Sequence, residues 1–408
     1  MTHPSSATHP PPTTHPSSAT DPPPTTHLSS PTQSPSSRAQ RSALDVATTT
    51  PQRQPSATDR FPALVLGGSG YVAGELLRLL AGHPRLRPAA VLSDSKPGVA
   101  VAEVFPHLAG AVGGLAFAGR EGLSRLFGEQ PHLAVFCAAP HGAAALLLAE
   151  LLGEAERAGC QLAVVDLSAD FRFADAAAWE AVYGRPHGAP ELLPRFTCAL
   201  PELVDAAFSR HVAHPGCFTT AVLLAAVPLL RAGLVEPWVT AVAVTGSTGA
   251  GRTPTPTTHH PERRSTLFAY APLAHRHQPE MEALAAAAGA PATIRFVPQA
   301  GPFARGIHAT LVMRPRAGTT AAAAREALLS FYAGAPFVDV LAEPPRLQDV
   351  VGSNRCRLAV AADGEALVAF AVLDNLVKGA AGGGVQWMNR LLGFDESAGL
   401  SAPGLGWL

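Results

Sequence analysis

The chain has 408 residues, which suggests two domains, or three, at roughly 150 residues per domain. Its formal net charge of −1 argues against nucleic-acid binding through a basic face and against attraction to an acidic membrane surface. Hydrophobic residues make up 47% of the chain, enough for a substantial core. No stretch of about 20 apolar residues free of helix breakers occurs, so we expect no transmembrane span.

Residues 1–60 differ from the rest of the chain in composition, because 35 of these 60 residues are Pro, Ser or Thr. So little apolar surface cannot repay the conformational entropy of folding, and the segment lacks the apolar run of a secretory signal. We therefore expect a disordered, low-complexity tail in front of a folded part.

The five cysteines have irregular spacings and include no CxxC pair. An odd number of free thiols is typical of a reducing compartment, so we expect a cytoplasmic protein without disulfides. One of the thiols could then be a nucleophile.

The first recognisable unit is a strand, a glycine-rich turn and a helix. Residues 62–67 predict a buried strand, GGSGYVAG follows at 67–74, and ELLRLLAGH continues as a helix. This context predicts a dinucleotide site, where pyrophosphate meets the free N–H groups of the helix N-terminus. We expect Gly74 to permit close packing of the helix on a strand. The expected cofactor contacts are Gly67, Ser69, Gly70, Tyr71 and Val72.

The second predicted strand, at 88–93, ends in Ser93-Asp94-Ser95-Lys96. A carboxylate about this far from the glycine turn usually binds the ribose diol of NAD. The side chains of Ser93, Ser95 and Lys96 are instead donors suited to a 2′-phosphate. We therefore predict NADP as the cofactor.

Later strand-to-loop units extend the same cleft, because open α/β sheets bind ligands at the carboxyl ends of their strands. The further cofactor contacts that we expect, from these loops and from two later glycine-rich stretches, are Pro140, Ser168, Gly249 and Asn375.

The second half of the chain contains strand-like runs and a helix near 319–333, which predicts a largely antiparallel α+β domain. Three glycines at 382–384 weaken a helix unless a nicotinamide or a neighbouring helix approaches closely.

Cys217 gives the clearest sign of catalysis. Pro215-Gly216 forms a turn before it, and the residues from 218 onward have helical apolar spacing. The positive end of a helix dipole favours a thiolate, so we expect a nucleophile with a lowered pKa. We expect Pro228 to kink this helix or to end its first part.

A thiolate nucleophile needs a proton-transfer partner, and the segment HRHQPE offers two histidines. His275 and His277 are two residues apart, so on an extended segment both would face one side. Either could be the general acid/base while the other contacts substrate. A zinc site that adds His259 and His260 fits no standard ligand spacing, so we expect no metal.

Residues 61–408 resemble the N-acetyl-gamma-glutamyl-phosphate reductase family, of the aspartate-semialdehyde-dehydrogenase-like group. Ten motifs occur in the family's order: GGSGYVAGEL, AAPHG, DLSADFR, ALPEL, HPGCFTT, GSTGAGR, HRHQPEM, RGIHAT, GSNRC and DNLVKGAAGGGVQ. Ten motifs in order are very specific, and the tail has no counterpart. The sequence departs from the family's usual residues at three places. Ala73 stands where the family usually has the second glycine of the turn, and His214 stands where Asn is commoner. Gly383 and Gly384 stand where the family often has Gln and Ala.

The resemblance implies an oxidoreductase of arginine biosynthesis that reduces N-acetyl-glutamyl 5-phosphate with NADPH. Cys217 would attack the acyl phosphate, phosphate would leave a thioester, and hydride would convert the thioester to the aldehyde. We assign general acid/base catalysis to His277 and substrate contact to His275. The candidates to hold phosphate or carboxylate by bidentate bonds are Arg252, Arg276 and Arg305.

The fold expected from these observations is α/β: a Rossmann-like dinucleotide-binding domain, an α+β catalytic and dimerisation domain, and a C-terminal helix that returns to the first domain. The expected boundaries are 1–60 for the tail, 61–216 for the NADP-binding domain, 217–373 for the catalytic domain and 374–408 for the C-terminal helix. The resemblance implies a homo-oligomer, either a dimer or a tetramer. We expect it to act on a small molecule without a nucleic-acid or membrane partner.

Two alternatives stay open. A sister reductase would act on aspartyl phosphate, on N-succinylglutamyl phosphate or on an aminoadipyl phosphate held by a carrier protein. An acidic carrier needs a basic surface to dock on, and the net charge of −2 over residues 61–408 disfavours it. A non-catalytic NADP sensor would have lost the thiol or its histidines, whereas Cys217, His275 and His277 are all present.

Overall fold

The computed structural model describes residues 60–204 and 209–406, so the predicted disordered tail lies outside the described residues except for Arg60. Two seven-stranded sheets organise this part of the chain. All five cysteines are free. Within the described ranges, no helix is both long and apolar enough to cross a membrane.

The first sheet is entirely parallel. Its elements are β1 (Phe61–Leu66), α1 (Tyr71–Ala81), β2 (Leu86–Leu92), α2 (Val101–Val104), β3 (Phe117–Ala118), α3 (Leu123–Glu129), β4 (His132–Cys137), α4 (Ala144–Ala158), β5 (Gln161–Asp166), α5 (Ala176–Tyr183), β6 (Phe196–Cys198) and β7 (His211–Ala213). The strand order is β3-β2-β1-β4-β5-β7-β6. The direction of winding reverses between β1 and β4, so the loops after these two strands flank the crevice where such sheets bind ligands.

The second sheet is mixed. Its elements are α6 (Cys217–Arg231), β8 (Val235–Thr245), α7 (His260–Arg263), β9 (Phe268–Ala269), α8 (His277–Ala287), β10 (Thr293–Ala300), β11 (Ile307–Pro315), α9 (Ala321–Phe331), β12 (Val338–Val340), β13 (Cys356–Ala362), β14 (Leu367–Leu373) and, after a π-helical turn at Val377–Ala381, α10 (Gly382–Leu391). The strand order is β12-β13-β14-β11-β8-β10-β9. The pairs β8–β10 and β12–β13 are parallel and the other pairs are antiparallel.

Alternation of side chains explains the two faces of the second sheet. In β8 from Val239 to Thr245, and in β11 from Ile307 to Met313, every second residue is buried, and the apolar residues among them lie in one core with the apolar helix α6. The opposite face keeps its side chains partly exposed, and Trp238 and Val312 are among the exposed large hydrophobic residues. The core of this domain therefore lies on the α6 side of the sheet.

Helix α6 runs through Pro228 to Arg231, so of the two expected effects of Pro228, an end to the first part of the helix is wrong, and a kink stays a prediction. Proline removes the N–H that would bond to the carbonyl of Leu224 in an uninterrupted helix. That carbonyl instead accepts a hydrogen bond of 2.6 Å from the Tyr332 hydroxyl. The hydroxyl of Tyr332, the C-cap residue of α9, thus satisfies the carbonyl that proline leaves without its usual donor.

Helix α10 returns to the first sheet, which confirms the fold class predicted from the sequence. It packs with α1 on a core that includes Val65 and Phe136 of the central strands. The three glycines at its start allow close approach by the side chains of Asn354, His214 and Leu167, respectively. These neighbours, from outside the helix, account for a glycine run that would otherwise weaken it.

Candidate active site

Cys217 is the first residue of α6 and lies between two backbone segments that need glycine. A Cβ on Gly216, the N-cap residue, would lie 2.5 Å from the His277 ring. A Cβ on Gly379, in the π-helical turn, would lie 2.7 Å from the Cβ of Cys217. The absence of both side chains lets the nucleophile, His277 and the turn before α10 come together.

A buried ion pair that is not evident from the sequence holds this arrangement. Glu280 of α8 accepts the Gly216 N–H through Oε1 at 2.6 Å and contacts Nη1 of Arg172 through Oε2 at 3.2 Å. The same Nη1 lies 3.5 Å from Nε2 of His277. One signal was available for Glu280, since it follows His277 by three residues and so shares its face of a helix.

The two histidines differ in how their nitrogens are used. Nδ1 of His275 accepts the backbone N–H of His277 at 3.1 Å, and His277 begins α8. The segment is therefore not extended as expected, because Arg276 has helical dihedral angles. Nδ1 of His277 is buried and has no hydrogen-bond partner within the described residues. Burial lowers the pKa of His275 to about 4 and that of His277 well below its ordinary value, so both rings are neutral near neutral pH.

Burial raises the pKa of the Cys217 thiol above its ordinary value. The charge of Arg172 and the Phe218 N–H at the start of α6 lower the pKa, but they do not outweigh desolvation. The expectation of a lowered pKa is therefore wrong for the unliganded chain. A neutral thiol needs a base before it can attack as a thiolate, and the neutral imidazole of His277 lines the same cavity as Cys217.

Cys217 lines a cavity of about 470 Å³. Cys217, His277 and Arg276 line it from the second half of the chain. The predicted cofactor residues that also line this cavity are Gly70, Tyr71, Val72, Pro140, Gly249 and Asn375. Cys217, His277, Arg276 and part of the expected cofactor site therefore share one space.

A neighbouring cavity of about 600 Å³ is lined by Gly67, Ser69, Gly70, Ser93, Ser95, Lys96 and Pro140, all predicted cofactor contacts. Gly67 has φ +72°, and a Cβ there would lie 2.5 Å from the carbonyl oxygen of Ala138. Gly70 is the N-cap of α1, and the atom nearest to an added Cβ would be the Gly67 carbonyl oxygen at 3.9 Å. This open backbone at a helix N-terminus fits a dinucleotide pyrophosphate.

Gly74 of α1 packs against the Phe105 ring, and not on a strand as expected.

Arg120 lines the same cavity and was missed, because it lies 26 residues from its partner. Its guanidinium donates to Asp94 through Nε at 3.3 Å and Nη2 at 3.1 Å, and to Glu150 at 2.6 Å. The charge of Asp94 beside Lys96 is thus compensated by an arginine.

Ser168 and His275 do not line either cavity. The Ser168 hydroxyl is buried, donates to Asp166 at 2.8 Å and accepts the Asp170 N–H at 3.0 Å. The His275 ring packs among aromatic side chains, with the Phe296 centroid 5.5 Å away. The structure therefore places Ser168 and His275 outside both cavities, and their expected contacts stay predictions.

Arg305 and Arg252 are also placed differently from the expectation of substrate binding. Arg305 donates to Asp374 through Nε at 3.1 Å and pairs with Glu75 of α1, away from the cavity that contains Cys217. Arg252 lines both cavities but donates to the Ser69 carbonyl, in the glycine turn, at 3.1 Å. Of the three predicted arginines, Arg276 alone lines the cavity that contains Cys217 without a hydrogen bond or ion pair to the described residues.

The residues weighed for zinc are dispersed. His259 and His260 are exposed at the start of α7. Across residues 60–204 and 209–406, no three His, Cys, Asp or Glu side chains are grouped as metal ligands.

Comparisons with known proteins agree on both halves of the chain. Residues 63–203 match the family model "Semialdehyde dehydrogenase, NAD binding domain", and residues 217–375 match "Semialdehyde dehydrogenase, dimerisation domain". Aspartate semialdehyde dehydrogenase II of Vibrio cholerae, complexed with ASA, has a similar structure, with a TM-score of 0.59 and 16% identity over 82% of this chain and 98% of that one. The enzyme of Candida albicans with NADP gives a TM-score of 0.55 and 15% identity over the same shares. These structures show the fold.

Sequence identity shows the family. The N-acetyl-gamma-glutamyl-phosphate reductase of Pseudomonas entomophila is 42% identical over 349 residues, which are 84% of this chain and 98% of that protein. The alignment thus spans almost the whole relative. The chain belongs to the N-acetyl-gamma-glutamyl-phosphate reductase family.

Proposed function

We propose that this enzyme reduces N-acetyl-gamma-glutamyl phosphate with NADPH to N-acetylglutamate 5-semialdehyde and phosphate, a step of arginine biosynthesis. The observation that carries the proposal is the position of Cys217, in one cavity with His277, Arg276 and the glycine turn. The name of the relative at 42% identity supports the choice of acyl phosphate.

Proton transfer follows from the state of the two catalytic groups. His277 accepts the thiol proton as the sulfur of Cys217 attacks the acyl carbon; the C–O bond to phosphate breaks, phosphate leaves with a proton taken up from solvent, and a thioester remains. NADPH supplies the hydride that reduces this thioester. The imidazolium of His277 returns its proton to the sulfur as the aldehyde departs. The carboxylate of Glu280 offsets the charge of Arg172 beside the ring.

Anion binding is assigned to two arginines. Arg276 is exposed on the cavity wall, and its guanidinium can hold the leaving phosphate or the substrate carboxylate by two parallel hydrogen bonds. Arg252, beside the Ser69 carbonyl, is reassigned to the phosphates of the cofactor.

NADP is preferred to NAD because of the groups around the second cavity. The side chains of Ser93, Ser95 and Lys96 line it as donors, and Arg120 adds a guanidinium. Arg120 also binds Asp94, the carboxylate that would otherwise suit a ribose diol.

The exposed side of the second sheet supports a homodimer. Trp238 and Val312 lie on it, and a second copy of the chain would cover their apolar surface. A tetramer would need a further contact.

We also propose the boundaries 61–216, 217–373 and 374–408 for the domains. We propose a cytoplasmic location, which suits five free thiols.

A substrate panel tests the reaction in the reverse direction. The protein is given NADP⁺ and phosphate with N-acetylglutamate 5-semialdehyde, with its N-succinyl analogue, or with aspartate semialdehyde, and NADPH is followed by absorbance. We expect the highest kcat/KM with the N-acetyl compound. Turnover of aspartate semialdehyde without turnover of the N-acetyl compound would contradict the substrate assignment.

A further inference from the structure

His141 is a half-buried polar side chain that the mechanism above does not use. It follows β4 in the motif AAPHG and lines the cavity that also contains Cys217, His277 and Arg276. The topology of the first sheet accounts for this position, because the loops after β1 and β4 flank its ligand-binding crevice. The imidazole is therefore available to a molecule bound beside the nucleophile.

Hydrogen bonds on both sides of His141 hold its backbone in place. The His141 carbonyl accepts a hydrogen bond from the Arg185 guanidinium at 2.7 Å. The N–H of the next residue, Gly142, donates to the Asp170 carboxylate at 2.6 Å. The ring thus projects from a fixed segment, so a ligand that it contacts does not have to order a loop first.

The two ring nitrogens of His141 differ in access. Nδ1 is buried and has no hydrogen-bond partner within the described residues. Nε2 has no partner there either, but it is not shut off from the cavity that the residue lines. A bound molecule is therefore contacted through Nε2 alone, and a proton on this nitrogen makes it a hydrogen-bond donor.

The surroundings of the ring favour an anion. Burial lowers the pKa of His141 to about 3, and the positive charges of three arginines lower it further: Arg172, Arg276 and Arg185. The ring is therefore neutral near neutral pH, and the space beside it has a positive potential. An N–H donor in such a place complements an oxyanion, which offers acceptors alone.

The carboxylates of this region are already bound. Asp170 accepts the N–H groups of Gly142 and Ala145, the latter at 2.9 Å, and Glu280 pairs with Arg172. Arg276 has no hydrogen bond or ion pair to the described residues. The cation left for a ligand on this wall of the cavity is therefore Arg276.

We infer that His141 is a further substrate-binding residue, which donates through Nε2–H to the same anionic group that Arg276 binds. The inference rests on the proposed function, which brings two anionic groups into the cavity. One is the phosphate on the reacting acyl group, and the other is the α-carboxylate of the substrate. Kinetics in the reverse direction separate these groups, because phosphate and the aldehyde are then two different substrates.

His141→Leu removes the donor and keeps a side chain of similar size. We expect KM for phosphate or KM for the aldehyde to rise about 10- to 100-fold, as for a lost hydrogen bond to a charged group. Because the effect is on one binding contact, kcat and KM for NADP⁺ should change little. A higher KM for phosphate identifies the phosphate as the bound group, and a higher KM for the aldehyde identifies the α-carboxylate. Arg276→Met should raise the same KM.

Two polar variants separate the contact from a structural role. His141→Gln, whose amide nitrogen can take the place of Nε2, should retain part of the affinity, whereas His141→Asn, whose side chain is too short, should not. The asparagine variant replaces the leucine variant if the latter does not fold. His132→Leu, which removes an exposed histidine at the start of β4, is the control and should leave each KM unchanged.

Three results in a folded His141→Leu or His141→Asn would overturn the inference. These are an unchanged KM for both phosphate and the aldehyde, a rise in a KM that Arg276→Met leaves unchanged, or an equal rise in KM for NADP⁺, which would mean that the loop after β4 has moved. A wild type that does not turn over the N-acetyl compound at all would instead contradict the proposed function, and the inference with it.

Discussion

Glu280 accepts a hydrogen bond from the backbone N–H of Gly216 at 2.6 Å, and so joins helix α8 to the turn that presents the nucleophile. Its second oxygen pairs with Arg172, which follows β5 in the first domain. The geometry around Cys217 therefore depends on segments from three distant parts of the sequence. Charges placed this close also determine how readily the thiol loses its proton.

Removing these charges should shift the reactivity of Cys217 in opposite directions. The guanidinium of Arg172 lowers the pKa of the thiol and the carboxylate of Glu280 raises it. Because the thiolate is the reactive form, Arg172→Met should move the pH profile of iodoacetamide alkylation to higher pH, and Glu280→Gln should move it to lower pH. The profile is measured by mass spectrometry of the peptide that contains Cys217. Arg125→Met, which removes an exposed arginine, is the control; equal shifts in all three variants would refute the electrostatic explanation.

Gly379 should not tolerate a side chain. Its added Cβ would lie 2.7 Å from the Cβ of Cys217, an atom that cannot rotate away. We expect Gly379→Ala to lower kcat by up to about 100-fold, as displacement of a reacting group by about 1 Å can do. Gly384→Ala is the matched control, because the nearest atom to its Cβ is a methyl carbon of the flexible Leu167 side chain at 3.0 Å. Similar losses of kcat in both variants would mean that the helix, not the nucleophile, is disturbed.

Arg276 and Arg305 should differ in what their loss affects. Arg276→Met removes a guanidinium from the cavity, so KM for phosphate or for the aldehyde should rise about 10- to 100-fold with little change in thermal stability. Arg305→Met leaves Glu75 and Asp374 without their shared cation, and breaking such a buried pair costs about 3–5 kcal/mol. We therefore expect its melting temperature to fall while KM changes little. The opposite pattern would restore Arg305 as the substrate ligand.

The stability of the protein should fall as the pH decreases below 6.5. Burial lowers the pKa of His83 to about 4, from 6.5 in the unfolded chain. The folded state therefore keeps His83 neutral while the unfolded state binds a proton, and stability is lost progressively between these two values. Its Nδ1 accepts the N–H groups of Arg85 and Leu86, which protonation would oppose. Urea unfolding across this range should show a weaker pH dependence in His83→Gln; an unchanged dependence would show that other groups cause it.

The exposed side of the second sheet should be the dimer contact. Val312 lies on it and is 43% exposed. Val312→Lys would place a charge in the apolar interface, and light scattering should detect monomers at concentrations where the wild type is a dimer. Leu146→Lys, at an exposed apolar position on α4 of the first domain, should leave the dimer intact. Dissociation by the second variant alone would place the interface elsewhere.

Local patterns in the sequence predicted those parts of the site that lie on one segment. The glycine turn before α1 and the turn before α6 depend on neighbouring residues, so Gly67 and Cys217 were recognisable. Arg172 and Glu280 were not, because they are 108 residues apart and meet only after two domains have folded. For the same reason the partners of Arg305 could not be read from the chain.

The reactivity of the thiol was also beyond a local argument. The position of Cys217 at a helix N-terminus was correctly predicted, but the direction of its pKa shift was not. Helix polarity can be read from the sequence, whereas desolvation depends on the groups that three other segments bring against the sulfur.

The central claim is that the substrate becomes covalently bound to Cys217, and acylation without a reductant tests it most directly. The protein is mixed with N-acetyl-gamma-glutamyl phosphate in the absence of NADPH, quenched with acid, digested and analysed by mass spectrometry. We expect an N-acetylglutamyl adduct on the peptide that carries Cys217, and neither adduct nor turnover in Cys217→Ser. Full turnover by Cys217→Ser, or an adduct on a different residue in a competent enzyme, would contradict the account.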